Sequence, residues 1–188
     1  MKHSYKNDVD PYAKGFTIVK IDPGYVERIY DLVNDIVERK ATEEHHKIDN
    51  QSEFKRFTTG FLGEAAIEKL FGINVIDWSI GDSKSYHVPD VPGYSVGIKT
   101  VEYGKFPIIF KNNYYPQIMC IRSIKEENVV AVCGLATKDI LNTYQDDDLI
   151  LDANLRARGT KTGFYGFGFL KPVNTILDIK EYKKVKRW

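Results

Sequence analysis

Three residues of types that handle phosphate chemistry follow one another along the middle of this 188-residue chain: Glu64, Asp90 and Lys99. Carboxylate oxygens are ligands that Mg²⁺ prefers, and a lysine ammonium can orient a water and stabilise charge developing on a phosphate. Asp90 follows a proline in HVPDV, and Lys99 lies inside the apolar run YSVGIKTVE. If the three side chains meet, they form a site for a divalent cation and a water that attacks phosphate.

The strands around Asp90 and Lys99 are expected to bring these two residues together. Side chains alternate along a strand, so in YSVGIKTVE Lys99 shares a face with Gly97. Pro89 indicates the end or edge of a strand, which places Asp90 where YHVPDV runs into the turn VPGY. Two strands joined by this turn are predicted to pair as a hairpin, with Asp90 near Lys99.

The third residue, Glu64, lies on a predicted helix. In TGFLGEAAIEKLFG, helical spacing puts Glu64 on one stripe with Phe61, Ile67 and Phe71. An acid among residues that should face the sheet is the informative exception to the rule that charges stay outside. We therefore expect the carboxylates of Glu64 and Asp90 and the amine of Lys99 to cluster within roughly the dimensions of a metal site.

Glu64 in GFLGEAAIEKLFG, Asp90 in HVPDV and Lys99 in VGIKT together resemble the PD-(D/E)xK, or restriction-endonuclease-like, nuclease superfamily. The resemblance covers about residues 55 to 140, including the later strand and helix NVVAVCGLATKDIL. It implies an αβββαβ core and a Mg²⁺-dependent (endo)nuclease acting on nucleic acid, DNA in the first place, with Mn²⁺ substituting for Mg²⁺. It further implies that Asp90 is the central metal ligand, Glu64 a direct or water-mediated ligand, and Lys99 the residue that positions the attacking water.

The departure from the family pattern is Gly97, where members usually carry Asp or Glu. Some members relocate this acid to the helix, which makes Glu64 the natural substitute. Glu102 is the other candidate, but alternation puts it on the face opposite Lys99 unless a bulge intervenes. The rival hypothesis is a catalytically degenerate nucleic-acid-binding or interaction protein on the same fold. Each of the three residues also has an ordinary structural reading: Asp90 as a turn former, Lys99 as a solvated strand residue and Glu64 as a first-turn helix charge.

A basic segment near the C-terminus is a candidate nucleic-acid-binding surface. In NLRARGTKTGFYGFGF, Arg156, Arg158 and Lys161 precede aromatic residues spaced by glycines. Cations beside aromatic rings suit a phosphate backbone and unstacked bases, whereas the alternative is a core hairpin with a solvated loop. The adjacent His45 and His46 are predicted to be an exposed pair, and His87 to be structural.

The order of elements predicts one α/β (α+β) domain with a central mixed sheet flanked by helices. Asp22 and Pro23 are expected to start a long helix, and Gly72 to end the helix of Glu64. Residues 1–188 are then a single domain with an N-terminal helical extension (1–50), a nuclease-like core (55–140) and a C-terminal hairpin and basic end (141–188). The expected strands are FTIVKI, INVIDW, YHVPDV, YSVGIKTVE, FPIIFK, PQIMCIRSI and NVVAVCGLA, followed by a helix at TKDILNTY.

Composition sets broad limits on partners and location. The net charge is +1, so any nucleic-acid surface must be local. Cys120 and Cys133 lie in apolar runs and are expected to be buried thiols. The chain opens without an apolar leader and contains no apolar run of membrane-spanning length, so we expect a cytoplasmic protein with no membrane partner. Its compactness suits an accessory nuclease of a phage or mobile element, and a homodimer is compatible with the sequence.

Overall fold

The computed structural model describes residues 2–40, 53–79 and 88–184, and the following account concerns these residues. The helices are α1 (Tyr5–Asp8), α2 (Pro23–Lys40), α3 (Glu53–Phe71), α4 (Lys138–Thr143) and α5 (Ala153–Ala157). The strands are β1 (Thr17–Lys20), β2 (Gly97–Glu102), β3 (Ile108–Phe110), β4 (Gln117–Arg122), β5 (Val129–Ala136), β6 (Gln145–Asp146) and β7 (Lys161–Phe164). Short 3₁₀ helices cover Asp10–Gly15, Asp147–Leu149, Phe167–Phe169 and Ile176–Tyr182.

The larger sheet has four strands in the order β1-β5-β4-β2. The β1/β5 and β5/β4 pairs are antiparallel, whereas β4 and β2 run parallel, with Gly97 opposite Gln117. Helices α2 and α3 pack on one face of this sheet and bury the main core, whose members include Ile29, Leu62, Ile67 and Ile118. The prediction of a mixed sheet with packed helices is confirmed at this level.

The opposite face of the large sheet is covered by a smaller sheet in the order β3-β7-β6. A second core fills the space between them and includes Met119, Ile121, Leu141, Phe164 and Phe167. The predicted C-terminal hairpin is therefore part of a larger sheet, because β7 has a partner strand on each side. Strand β7 lies between β3 and β6 and pairs antiparallel with both, because residues far apart in the chain supply its partners.

The helix boundaries follow from local chemistry. The Asp22 carboxylate accepts a hydrogen bond from the Gly24 N–H at 2.9 Å, which caps α2 as predicted. Helix α3 ends at Phe71, and Gly72 then adopts a positive φ of 67°, a conformation that glycine tolerates without strain. The N-terminal region is built into the sheet, because β1 pairs with β5 along its full length.

Two of the expected strands are corrected by the structure. Residues 73–79, which contain INVIDW, form no strand: the Val75 and Ile76 N–H groups donate to the Glu68 carboxylate at 2.7 and 2.9 Å. A side chain of α3 thus satisfies donors that a neighbouring strand would otherwise need to satisfy. Residues 88–90 of YHVPDV form bends, and the first part of that segment lies outside the described residues.

Cys120 and Cys133 are both buried and free, as predicted. Burial raises the pKa of the Cys120 thiol to about 12, so it stays protonated and packs as an apolar side chain. Within the described ranges, no helix combines the length and apolarity needed to cross a bilayer.

Candidate active site

Asp90 is fixed to the free edge of the large sheet. Strand β2 is the last strand of that sheet, and its Gly97 N–H donates towards β4, to Pro116 O at 2.9 Å. The next N–H, that of Ile98, consequently points away from the sheet and donates to Asp90 Oδ2 at 2.6 Å. The carboxylate occupies the place of a neighbouring strand. The predicted hairpin is therefore wrong, yet Asp90 lies beside β2 as expected, because a side chain replaces the backbone pairing.

Lys99 projects from the face of β2 that is turned away from α3. Its partner in the parallel register is Met119, which packs in the second core, whereas the flanking Thr100 contacts Gly63 of α3. The Asp90 carboxyl has a raised pKa because burial disfavours its charge, an effect that the Ile98 N–H and the positive charge of Lys99 partly offset. Lys99 is thus close enough to Asp90 to stabilise its ionised form.

Glu64 approaches the same edge from α3. It is half-buried in the helix face that carries Ile67 and Phe71, as the stripe in the sequence predicts. Burial is the main cause that raises the pKa of the Glu64 carboxyl to about 8. The negative charges of Asp90, Glu68 and Asp77 contribute to the same shift. The Asp90 carboxylate thus disfavours ionisation of Glu64, and a bound cation would relieve this repulsion.

Asp90 therefore interacts electrostatically with both of the other residues selected from the sequence, Glu64 and Lys99. Its charge acts on Glu64 from one side, and Lys99 acts on its charge from the other. Glu64 comes from the α3 face of the sheet and Lys99 from the opposite face, so the two side chains do not project from one face of β2. Their full clustering at metal-site dimensions remains a prediction.

Gly97 leaves no space for a side chain at this position of β2. A Cβ atom at this position would lie 2.7 Å from Tyr115 Cε2 and 3.2 Å from Asp90 Oδ2. The ring of Tyr115 occupies the volume of the missing side chain, and its hydroxyl donates to Val88 O at 3.2 Å. Burial and the charge of Asp90 raise the pKa of the Tyr115 phenol. A carboxylate side chain at position 97 and the Tyr115 ring in its present place could therefore not both occupy this space.

Glu102, the alternative acid, is committed elsewhere. It lies on the α3 face, opposite to Lys99, as alternation predicts, and is 7% exposed. Its two oxygens pair with Lys55 Nζ and Lys105 Nζ, each at 3.0 Å. Burial opposes ionisation, but the two ammonium groups prevail and hold the pKa of Glu102 below its usual range. Its charge is already neutralised, which leaves Glu64 as the acid available to the site.

Sequence reasoning missed Glu68, Asp77 and Tyr115. Glu68 lies one turn after Glu64, and its carboxylate accepts a hydrogen bond from the Tyr25 hydroxyl as well as holding the 73–79 loop. Asp77 accepts from the backbone and hydroxyl of Ser79 at 2.9 and 2.6 Å, the signature of an Asx turn, which was visible in the sequence as Asp-x-Ser. No pattern in the neighbouring sequence indicated a role for Tyr115, because that role depends on its contact with Gly97 in β2.

The basic segment divides into residues with different roles. Arg156 donates from Nη2 and Nε to Ile150 O at 2.6 and 3.1 Å, so it holds its own loop together. Arg158 is exposed on the turn after α5. Lys161 Nζ lies 5.3 Å from the centre of the Phe110 ring, a cation–π arrangement at the end of the β3/β7 pair.

This segment is connected to the candidate site through β3. Phe110 ends β3, and residues 111–116 lead from it directly to the start of β4, beside Gly97. Tyr114 in this connection is 65% exposed and precedes the ring of Tyr115. The cationic and aromatic end of the small sheet therefore continues along the chain into the surroundings of Asp90. His45, His46 and His87 lie outside the described residues.

No family model, curated protein or solved structure matches this chain. Within residues 2–40, 53–79 and 88–184, no group of three or more His, Cys, Asp and Glu side chains is arranged to hold a metal ion.

The packing at Gly97 generates a testable prediction about stability. Gly97→Ala should lower the free energy of unfolding by about 1–3 kcal/mol, because the added methyl overlaps the Tyr115 ring. In Tyr115→Ala the same change should have a smaller effect, with a coupling of at least about 0.5 kcal/mol between the two positions. Urea unfolding of the four proteins measures this cycle. Additive effects would contradict the proposed competition for space.

The pKa of Glu64 predicts a pH dependence. An acid whose pKa is raised by folding stabilises the fold while protonated, and this contribution is lost as pH rises from about 4.5 to about 8. Glu64→Gln is neutral throughout, so in metal-free buffer its free energy of unfolding relative to the parent should increase steadily between pH 5 and pH 8.5. Glu126→Gln, at an exposed position, is the matched control. A constant difference for Glu64→Gln would show that its carboxyl is not perturbed.

Proposed function

We propose that this protein is a Mg²⁺-dependent nuclease that hydrolyses phosphodiester bonds in DNA, and that it is a divergent member of the PD-(D/E)xK superfamily. The observation that carries the proposal is the position of Asp90. Its carboxylate is fixed by the Ile98 N–H at the edge of β2, within electrostatic reach of both the Glu64 carboxyl and the Lys99 ammonium. Acid, acid and lysine are the groups that the superfamily uses, and the helix of Glu64 precedes the strand of Lys99 in the expected order.

The carboxylate pair fits a Mg²⁺ ion. Mg²⁺ is commonly bound by one or two carboxylates, with waters and substrate phosphates completing its shell. Glu64 and Asp90 supply oxygen donors, and the raised pKa of Glu64 reflects its burial and the nearby negative charge of Asp90. When bound, Mg²⁺ would polarise the phosphate and lower the pKa of a coordinated water. Mn²⁺, which accepts the same ligands, is expected to replace it.

The chain's own residues supply positioning and charge. The Ile98 N–H restricts the Asp90 carboxylate to one orientation, since Oδ2 is held at 2.6 Å. Lys99 is half-buried beside that carboxylate and is suited to orient the attacking water and to stabilise negative charge on the phosphate. Glu64 is protonated more readily than an ordinary glutamate, so a cation must displace its proton to bind.

The surface leading to the site supports nucleic acid as the substrate. Lys161 lies against Phe110 at one end, and the exposed ring of Tyr114 follows on the way to Asp90. Exposed aromatic rings next to cations can stack on bases while the cations contact phosphates. Arg158, exposed on the neighbouring turn, adds a second positive charge.

One observation favours the rival function, a nucleic-acid-binding or interaction protein without catalysis. Tyr115 fills the volume in which the superfamily's second acid would lie, so the site has one carboxylate fewer on β2. Binding without cleavage would follow if Glu64 and Asp90 hold the metal too weakly. The two functions differ in whether a divalent metal produces hydrolysis.

Metal-dependent cleavage provides the direct test. Plasmid and single-stranded DNA should be cut in the presence of Mg²⁺ or Mn²⁺ and remain intact in EDTA. Asp90→Asn and Glu64→Gln should each reduce cleavage by at least about 100-fold, because each removes a negative charge that holds the cation while keeping the size of the side chain. Cleaved product resolved on gels gives the measurement.

Two further variants serve as controls for this experiment. Glu126→Gln removes an exposed acid outside the site and should leave cleavage unchanged. Glu102→Gln removes an acid already paired with two lysines, so its activity per folded molecule should stay within a few-fold of the parent. Intact DNA with every divalent metal, together with retained binding, would favour the rival function. Loss of cleavage in Glu102→Gln with full activity in Glu64→Gln would show that the acid was assigned wrongly.

The cationic surface generates a prediction about salt dependence. Arg158→Ala and Lys161→Ala should each weaken DNA binding in EDTA and reduce the slope of log affinity against log salt by about one unit, because each residue would neutralise one phosphate. Arg156→Ala should instead lower stability, since its guanidinium holds Ile150 O. Lys125→Ala, at the other end of β4, is the matched control. Unchanged slopes in the first two variants would show that this surface does not contact DNA.

A further inference from the structure

A cleft separate from the candidate active site opens where α2, α3 and the ends of β2 and β4 meet. It has a volume of about 570 Å³ and is lined by Tyr30, Phe54, Lys55, Thr58, Glu102, Arg122, Ser123, Ile124 and Glu127. Glu102 and Arg122 are the last residues of β2 and β4. Asp90 contacts β2 at Ile98, four residues before Glu102, or about 13 Å away at the rise of an extended strand.

Two polar groups that line this cleft lack partners. Arg122 Nε and Thr58 Oγ1 are both buried, and neither makes a hydrogen bond within the described residues. The remaining contact of the guanidinium is a long hydrogen bond from Nη1 to Thr59 Oγ1 at 3.4 Å. A buried donor without an acceptor costs about 1–3 kcal/mol, so a ligand that supplies the acceptor regains that energy.

The charges of the cleft favour an anion. In the described part of the chain, Arg122 makes no ion pair, whereas the carboxylate of Glu102 is already neutralised by Lys55 and Lys105. The second acid, Glu127, is exposed and accepts a hydrogen bond from the Tyr30 hydroxyl at 3.0 Å. A guanidinium without a carboxylate partner is the group best suited to a phosphate.

The opposite wall of the cleft is aromatic. The rings of Tyr30 and Phe54 pack against each other with their centres 5.8 Å apart, and both are half-buried. Ile124, whose side chain is 64% exposed, extends the apolar surface at the rim. A flat ring can lie on this wall while a negatively charged group attached to it reaches Arg122.

We propose that this cleft binds a nucleoside phosphate group, with the phosphate on Arg122 and Thr58 and the base against Tyr30 and Phe54. The phosphate ester is the shared chemistry of two sources, a free mononucleotide and a nucleotide within a strand. Lys55 adds positive charge at the entrance, where it is about half exposed. The site needs neither Glu64 nor Asp90, so it stands independently of the proposed nuclease function.

Isothermal titration calorimetry of the full chain in EDTA tests the proposal. Adenosine 5′-monophosphate is the first probe, compared with adenosine, inorganic phosphate and a single-stranded oligodeoxynucleotide without terminal phosphates. Adenosine monophosphate should bind with 1:1 stoichiometry and at least tenfold more tightly than adenosine or inorganic phosphate, because only it engages both walls. If only the oligonucleotide binds, and the variants below weaken its binding, the same cleft binds a nucleotide within a nucleic-acid strand.

The variants separate recognition from folding. Arg122→Lys keeps the positive charge but removes the Nε–H, and should weaken binding at least tenfold. Thr58→Val keeps the shape and removes a hydroxyl that makes no hydrogen bond to any described residue, so it should weaken binding several-fold without lowering the thermal midpoint. Lys125→Ala removes an exposed cation that does not line the cleft and should bind as the parent does. The proposal is overturned if neither adenosine monophosphate nor the oligonucleotide binds. It is also overturned if binding is unchanged in both Arg122→Lys and Thr58→Val. Because the titrations contain no metal, failure of DNA cleavage leaves this result unaffected.

Discussion

The contact on which the rest of the site depends is the close approach of α3 to β2 at Gly63. A Cβ atom on this residue would lie 1.7 Å from Thr100 Oγ1, so the Thr100 side chain packs directly against the backbone of the helix. This contact fixes both the height of α3 above the sheet and its position along β2. Glu64, the next residue, is thereby brought towards Asp90, and Lys55, at the other end of the helix, reaches Glu102. One glycine thus positions the charged groups at both ends of the strand.

The two acids closest to β2 show how differently the protein treats buried charge. Glu102 has two lysine partners, and its pKa lies below the usual range although the residue is buried. Glu64 is surrounded by further carboxylates, and burial together with these charges raises its pKa to about 8. An acid kept among acids is destabilising unless a cation joins it, whereas an acid with two lysines serves the fold. This contrast, more than any motif, separates a candidate functional carboxylate from a structural one.

The packing at Gly97 shows that the residue at a motif position can be interpreted only together with the residues that contact it. The glycine looks like the loss of an acid when the strand is considered alone. In the structure the Tyr115 ring occupies the freed space, tied to Val88 O and next to the Asp90 carboxylate. The ring keeps this edge of the sheet packed and places a phenol beside Asp90.

The sequence by itself determined the local elements and the residues worth considering. Helical spacing and the caps at Asp22 and Gly72 predicted α2 and the end of α3, and alternation predicted the opposite faces of Lys99 and Glu102, because these features depend on neighbours a few residues away. Composition and apolar runs likewise predicted the mixed sheet and the buried cysteines.

Only the tertiary structure decided which partners these residues meet. The anchoring of Asp90 by Ile98, the loss of the INVIDW strand to Glu68, and the Tyr115 ring above Gly97 each join segments whose separation in the chain carries no periodic signal. Side-chain hydrogen bonds replaced strand pairing in the first two cases. Because a carboxylate and a neighbouring strand satisfy the same backbone donors, the sequence pattern of an extended apolar segment does not distinguish between them.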